Sequence, residues 1–264
     1  MIRSMDTAEN AMRLQQIRID TLANNLANVN SSGFRQILTR VTELGSSEAN
    51  EAGPEGTTAT GISKAPRIEG QTDNWVQTNP LVMTHVTDHR RGPVNSTGRD
   101  TDIAIMGRGF YAVDSGNGEM YTRAGSFTLD AKKQLITPEG LPVLGEGGPI
   151  KLEGETFSIT NEGMVIVDGA PLTRLKVVTF DDPTRLEHHG NNLLSAPEDM
   201  AAKALPTEEI IVAQGHLEGS NVNAIDTLVA MISAQRAFEI QQKTLTTEDE
   251  MLSKTVNKLP QVGN

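Results

Sequence analysis

The stretch Leu22-Ala-Asn-Asn-Leu-Ala-Asn-Val-Asn-Ser-Ser-Gly-Phe34 decides the fold, because it holds both the last turns of a long helix and the signal that stops it. Upstream, Ala8, Met12, Gln15 and Ile19 lead into Leu22, Leu26 and Val29 at spacings of 4, 3, 4, 3, 4 and 3. That rhythm is the heptad seam of a helix that packs lengthwise against others. Neither Gly nor Pro occurs from Met1 to Ser32, so the spacing predicts a helix of about 25 residues, roughly 37 Å long. Asn30-Ser-Ser-Gly33 should end it: Asn and Ser compete for backbone hydrogen bonds, and glycine takes positive φ freely.

The other end of the chain repeats the design. Ser220 or Asn223 can cap a second helix, with Asp226 three residues after Asn223 and Pro260 beyond the far end. Its seam reads Leu228, Met231, Gln235, Phe238, Gln242, Leu245, Asp249, Leu252, Val256 and Leu259, again at alternating spacings of 3 and 4. Polar seam positions such as Gln235 and Gln242 lower the stability of a coiled coil but select its register and partner number. The plainer reading is a helical hairpin packed on a domain, and the pattern alone leaves both open.

Between the ends the period changes. From about Leu81 to Gly215, β-type runs alternate with turn residues: 102–106, 109–113, 126–129, 156–159, 164–167, 175–180 and 210–213. Asn161-Glu-Gly163 and Asp168-Gly169 punctuate them. Such spacing suits an antiparallel sandwich or a barrel and does not separate the two. Residues 45–64 contain a single large aliphatic side chain, Ile62. That segment cannot bury enough surface to offset its ordering entropy, so it is a loop or is ordered by a partner.

The expected fold class is α+β. Residues 1–35 and 215–264 form a discontinuous helical coiled-coil inner domain, 36–80 an extended insert ordered on assembly, and 81–214 an antiparallel all-β outer domain. Isolated amphipathic helices hold little stability without a packing surface, so 1–35 and 220–264 are expected to be largely disordered in the free monomer and to fold on assembly. Residues 40–75 either wrap a neighbouring molecule or form a loop.

Composition excludes several chemistries. Cysteine is absent from the 264 residues, which removes disulfides, thiolate catalysis and Cys-ligated metals. Net charge is −11, a poor match to phosphate backbones, so no nucleic-acid partner is expected. No run approaches the length of a bilayer span, and the first residues lack the apolar stretch of a cleaved signal peptide. With nine aromatics among Trp 1, Tyr 2 and Phe 6, the core is expected to be aliphatic.

The search for a reactive site returns ordinary structure. His85 and His89 lie four apart, but Val82, Val86 and Thr87 favour a strand, where that spacing is about 13 Å. His188-His189 reads as a solvated turn. Asp100 with Asp102, and Asp181 with Asp182, read as turn carboxylates rather than an acid–base pair. Gly107-Arg-Gly-Phe110 lacks the third glycine of a dinucleotide loop, and Gly145-Glu-Gly-Gly148 lacks the Lys of a phosphate loop. No catalytic residue, cofactor or metal is expected. Arg236 sits three residues before Glu239, close enough for a local pair, and could otherwise serve an intermolecular contact.

These residues carry a family likeness. The 22–34 segment closely resembles the N-terminal signature of the bacterial flagellar rod and hook proteins. Leu217-Glu-Gly-Ser-Asn-Val222 with Met231-Ile-Ser-Ala-Gln-Arg-Ala-Phe-Glu239 resembles their C-terminal one. Gly107-Arg-Gly-Phe110, Tyr121-Thr-Arg-Ala-Gly-Ser-Phe127 and Leu141-Pro-Val-Leu-Gly-Glu-Gly-Gly-Pro-Ile150 extend the likeness through the middle, with 40–75 the weakest part. Among members, the Gly-Glu-Gly-Gly-Pro-Ile and Leu-Glu-Gly-Ser-Asn-Val runs resemble FlgF more than the distal-rod protein FlgG, with which the long first helix and the insert are also compatible.

The resemblance implies a non-enzymatic subunit of the basal-body rod, polymerising through its terminal helices into a hollow shaft that transmits torque. It implies as partners copies of the chain, other rod subunits, the flagellar type III export apparatus and the surrounding bushing rings, and a periplasmic place reached without a cleaved signal. The assembly residues it points to are Leu22, Asn24, Asn25, Leu26, Asn28, Gly33, Phe34, Ser220, Asn221, Val222, Leu228, Met231, Gln235, Arg236, Phe238, Gln242 and Leu245. Rival readings are a trimeric adhesin fibre with a β-rich binding head and a hydrolase using the acids of the β-domain.

Overall fold

Helices at the two ends bracket an antiparallel β body, making the protein α+β. The computed structural model describes residues 2–43 and 81–258, and the chain divides into two compact units, Met1–Leu38 with Val86–Asn264 and Thr39–His85. Strands Ile37–Glu43 and Leu81–Thr87 pair, and within the second unit the Thr84 hydroxyl donates to the Arg40 carbonyl at 3.4 Å. The expected loop at 45–64, and all of the 40–75 segment but its first four residues, lie outside the described residues.

Helix α1 spans Ile2–Ala27 and α2 spans Ala224–Lys258, and the two pack on each other. On α1 the predicted seam residues Met12, Gln15, Ile19, Leu22 and Leu26 are half-buried, while the buried positions are Thr21 and Asn25, at 7% and 1% exposure, each one residue before a seam leucine. The helix stops at Ala27, a turn earlier than expected, where the Asn28 amide hydrogen is shared between the Asn24 and Asn25 carbonyls, both at 3.2 Å. On α2 the shielded line is Thr227, Met231, Ala234, Phe238, Gln241 and Leu245. This shares every second position with the predicted seam but replaces Leu228, Gln235 and Gln242 by their preceding neighbours. Small Thr227 and Ala234, 3% and 4% exposed, fill the crowded line, and Leu228 is left 44% exposed.

The β body is organised around a six-stranded antiparallel sheet. Its spatial order is Glu187–His188, Leu193–Ser195, Glu119–Thr122, Phe110–Asp114, Val177–Thr179 and Lys203–Ala204. Phe110–Asp114 is central, pairing Tyr111 with Thr122 on one side and with Val177 on the other. Because successive side chains point to opposite faces, Tyr111 and Val113 enter one core with Ile103, Phe127, Val143 and Leu175. Phe110 and Ala112 enter a second with Tyr121, Val178, Phe180 and Leu194. Each of the seven β-type runs overlaps a strand, with Phe110–Asp114 and Val212–Gln214 running one residue past theirs.

The core is aliphatic in number but not in design. The scarce aromatics are concentrated there, with Tyr111 edge-on to Phe127 at 5.1 Å and Tyr121 edge-on to Phe180 at 4.9 Å. Large rings fill volume that several aliphatics would otherwise be needed to fill. Tyr111 is fully buried, donates its hydroxyl to the Ile103 carbonyl at 2.8 Å, and has its ionisation suppressed by that burial.

Two short ribbons return the chain to α2. Val212–Gln214 pairs with Ile103–Ile105, and His216–Glu218 pairs with Val94–Ser96. This return brings the C-terminal signature alongside the segment leaving α1.

Candidate assembly site

Three charged residues lock the base of the helices into the β body. Glu218 is 2% exposed. Its Oε1 is 2.7 Å from Arg35 Nη2 and its Oε2 is 2.7 Å from Arg123 Nε, and the Gly92 amide donates to Oε1 at 3.1 Å. Arg123 also donates through Nη2 to the Ile105 and Gly107 carbonyls at 3.0 and 2.6 Å, and through Nη1 to the Gly109 carbonyl. Arg35 Nη1 donates to the Arg90 carbonyl. A buried charge left unpaired costs several kcal/mol, so this network holds the segments at 35, 90–92, 105–109 and 218 in one arrangement.

The sequence folds locally to permit it. Gly33 has φ +67°, and a Cβ there would fall 2.4 Å from the backbone of Arg123 and Ala124. Only glycine combines that dihedral with that approach, and the Gly33 amide donates to the Glu218 carbonyl at 2.8 Å. Phe34 follows, 6% exposed.

Two asparagines do the work of backbone. Asn25, 1% exposed, donates its Nδ2 to the Ile37 carbonyl at 2.7 Å and accepts from the Ile37 amide at 2.8 Å. Asn221 accepts from the Gln36 amide at 2.7 Å and donates to the Asp88 and Arg90 carbonyls, both at 2.9 Å. Ser220 and Val222 are buried, with the Val222 amide donating to Ser220 Oγ at 3.2 Å. Asn223 rather than Ser220 caps α2, accepting from the Ile225 amide at 3.0 Å.

The remaining assembly candidates lie on the helices. Asn24 is exposed, Leu22, Leu26 and Asn28 are half-buried, and Asn28 Nδ2 donates back to the Asn24 carbonyl at 2.9 Å. Met231, Phe238 and Leu245 are half-buried, whereas Gln235, Arg236 and Gln242 are exposed. Among the described residues Arg236 forms no ion pair with Glu239. The outer face of α2 leaves large apolar groups in water: Ile225 at 74%, Val229 at 58% and Ile240 at 67% exposure. Among the described residues no helix is long and apolar enough to cross a membrane.

Groups weighed for catalysis are occupied by structure. Asp102 is fully buried and held by Arg99 at 2.9 and 2.8 Å. Asp181 pairs with Lys203 at 2.7 Å, and Asp182 accepts from the Thr184 amide at 3.0 Å. The Thr184 contacts hold the Asp182 carboxyl below its ordinary range. His85 lies in the strand that its neighbours favoured. His188 Nε2 meets the Thr87 hydroxyl at 2.7 Å and His189 Nε2 the Ser195 hydroxyl at 2.8 Å.

Sequence reasoning missed Arg35, Arg123 and Glu218. The last two stand inside the quoted signatures, each flanked by residues that pack inward, and a charge in such a place needs a buried partner. That rule flags the residues but does not say which cation meets which anion.

Comparison with known proteins covers the same regions. The family described as "Flagella basal body rod protein" matches residues 5–35, "Flagellar hook protein FlgE/F/G D1 domain" matches 104–167, and "Flagellar basal body rod FlgEFG protein C-terminal" matches 213–259. The flagellar basal-body rod protein FlgG of Bacillus subtilis is 35% identical, over 97% of this chain and 99% of its own. FlgG of Borreliella burgdorferi is 34% identical over 96% and 97%, and FlgF of Caulobacter vibrioides is 30% identical over 93% of each. These whole-length likenesses show that the chain belongs to the flagellar basal-body rod proteins, structural subunits of the basal body and not enzymes.

Proposed function

We propose that this subunit polymerises head to tail with copies of itself and with other rod subunits through α1 and α2, forming a hollow shaft that carries torque. The observation that carries this reading is the outer face of α2, where Ile225, Val229 and Ile240 stay exposed beside a packed inner line. Apolar surface of this kind on a soluble chain marks an interface. The assembly residues fall into two roles. Leu22, Asn24, Leu26, Asn28, Leu228, Met231, Gln235, Arg236, Phe238, Gln242 and Leu245 supply the helix surfaces of a coiled-coil inner domain, residues 1–35 and 215–264. Asn25, Gly33, Phe34, Ser220, Asn221 and Val222 aim those helices from the β body, residues 81–214.

The greater identity of the two FlgG relatives than of the FlgF relative favours a FlgG-type place in the distal rod, although the sequence runs at 145–150 and 217–222 resemble FlgF. The periplasmic location, export through the type III apparatus without a cleaved signal, contact with the bushing rings and an insert at 36–80 ordered on assembly belong to the same reading. Replacing Ile225, Val229 and Ile240 together by Ser tests it. Sedimentation of the full chain should show association lost with melting unchanged, and hydrogen exchange should show the helix amides gaining protection on assembly. Undiminished association by the triple variant, or full amide protection in a verified monomer, would overturn it.

A further inference from the structure

We propose that an arginine-lined cleft beside the Gly107–Phe110 loop receives carboxylate side chains of a second copy of this chain. The inference rests on the rod-subunit reading but places a contact on the β body, away from the helix faces. The cleft encloses about 670 Å³ and is lined by Arg35, Arg90, Arg91, Arg108 and Arg123, in a chain whose net charge is −11. Asp181 is the carboxylate in its lining, and it is already paired with Lys203. Arg90 is engaged by Asp88 at 2.6 Å, and Arg35 and Arg123 divide one carboxylate between them. Two guanidinium groups on one Glu leave a positive excess behind the cleft. Arg91 donates to the Met106 carbonyl, and among the described residues neither Arg91 nor Arg108 has a carboxylate partner.

A second, independent feature points the same way. The Arg35 side chain is 5% exposed, yet its Nε has no hydrogen-bond partner. Buried donors without acceptors are uncommon because each forfeits its solvation. The His89 imidazole in the same wall feels the field as well: burial and then the Arg35 charge pull its ionisation below the ordinary range.

The loop is built to hold a cation in place. Gly109 has φ +115°, and a Cβ there would lie 2.7 Å from Val177 Cγ1. The Gly107 and Gly109 carbonyls on either side of Arg108 are both bound by Arg123. Arg108 is therefore an exposed side chain on a clamped backbone, with its fork free. A guanidinium fork matches a carboxylate in a bidentate manner. Carboxylates to meet it are available on a second copy, where Glu153 and Glu155, two positions apart, are both exposed and have no ion pair among the described residues. A head-to-tail array requires two unlike surfaces that fit one another, and complementary charge fixes register where apolar helix faces do not.

The test compares the full-length chain with Arg108→Glu, Arg108→Ala and Arg108→Lys variants by sedimentation at about 50 and about 500 mM NaCl. Inorganic phosphate is titrated onto the wild-type monomer in parallel. Arg108→Glu should raise the concentration needed for association about tenfold at low salt, Arg108→Ala less and Arg108→Lys least, with the differences closing at high salt. Melting should be unchanged in the Ala and Lys variants, which preserve the test if the Glu variant misfolds. Association equal to wild type in Arg108→Glu and Arg108→Ala overturns the proposal while the rod reading stands. Saturable phosphate binding near micromolar concentration assigns the cleft to a free anion and also overturns it. A wild-type chain that never associates overturns the rod reading, and this contact with it.

Discussion

Glu218 keeps its charge at 2% exposure with each carboxylate oxygen on a guanidinium, whereas Ile225, in the first turn of α2, leaves 74% of its surface in water. Seven positions along the chain separate two opposite treatments of a costly group. The clasp gives each carboxylate oxygen of Glu218 a guanidinium from its own chain. The outer helix face leaves an apolar debt to solvent that a monomer has no means of settling. A single chain can thus pair a buried anion at its β body while leaving apolar helix surface open, and an assembling subunit needs both.

The sharpest way to break the comparison is at the clasp. Glu218→Ala strands the Arg35 and Arg123 guanidinium groups without a counter-charge. It should cost about 3–5 kcal/mol, read as a drop in melting temperature, with Glu218→Gln milder because it retains hydrogen bonding. A loss under about 1 kcal/mol would show that the clasp does not hold the monomer together. Next in size is Gly33→Ala, which forces a Cβ into backbone and a side chain to positive φ. A loss of about 1–3 kcal/mol is expected in urea unfolding, and a neutral result would mean that the entry to the clasp adapts.

The smallest effect concerns pH. His89 is held below its ordinary range by burial and by Arg35, so the unfolded chain takes up that proton first as pH falls. Stability should therefore be full above about pH 6.5 and drain away as pH drops toward the folded value. Urea midpoints at about pH 7.5 and about pH 5.5 measure it, and His89→Gln should narrow the difference between them. An unchanged difference would mean that His89 is not the group responsible.

Much of the helical part was legible because its signals are local. The 3–4 spacing from Met12 to Leu26 marked α1 as a helix with a half-buried side, and Asn223 with Asp226 marked the start of α2. Strands were legible wherever Gly and Asn turns framed a β-branched run, as at Met164–Val167. What spacing could not supply was phase. Apolar character favours Leu228 over Thr227, but packing gives the inner line to the smaller residue. Pairing across distance was equally hidden, since Arg123 and Glu218 stand 95 residues apart and nothing local announces that they meet. The aliphatic majority of the core followed from composition, but the gathering of the few rings around one central strand did not, because composition counts rings without placing them.

The bonds from Gly33 to Glu218 and from Gln36 to Asn221 bind the chain leaving one helix to the chain entering the other. A pull on either end consequently reaches the sheet through two backbone-directed bonds and two buried ion pairs acting in parallel. Rupture would require them to yield together instead of unzipping in turn, and that gives the molecule a stiff neck between its helices and its sheet.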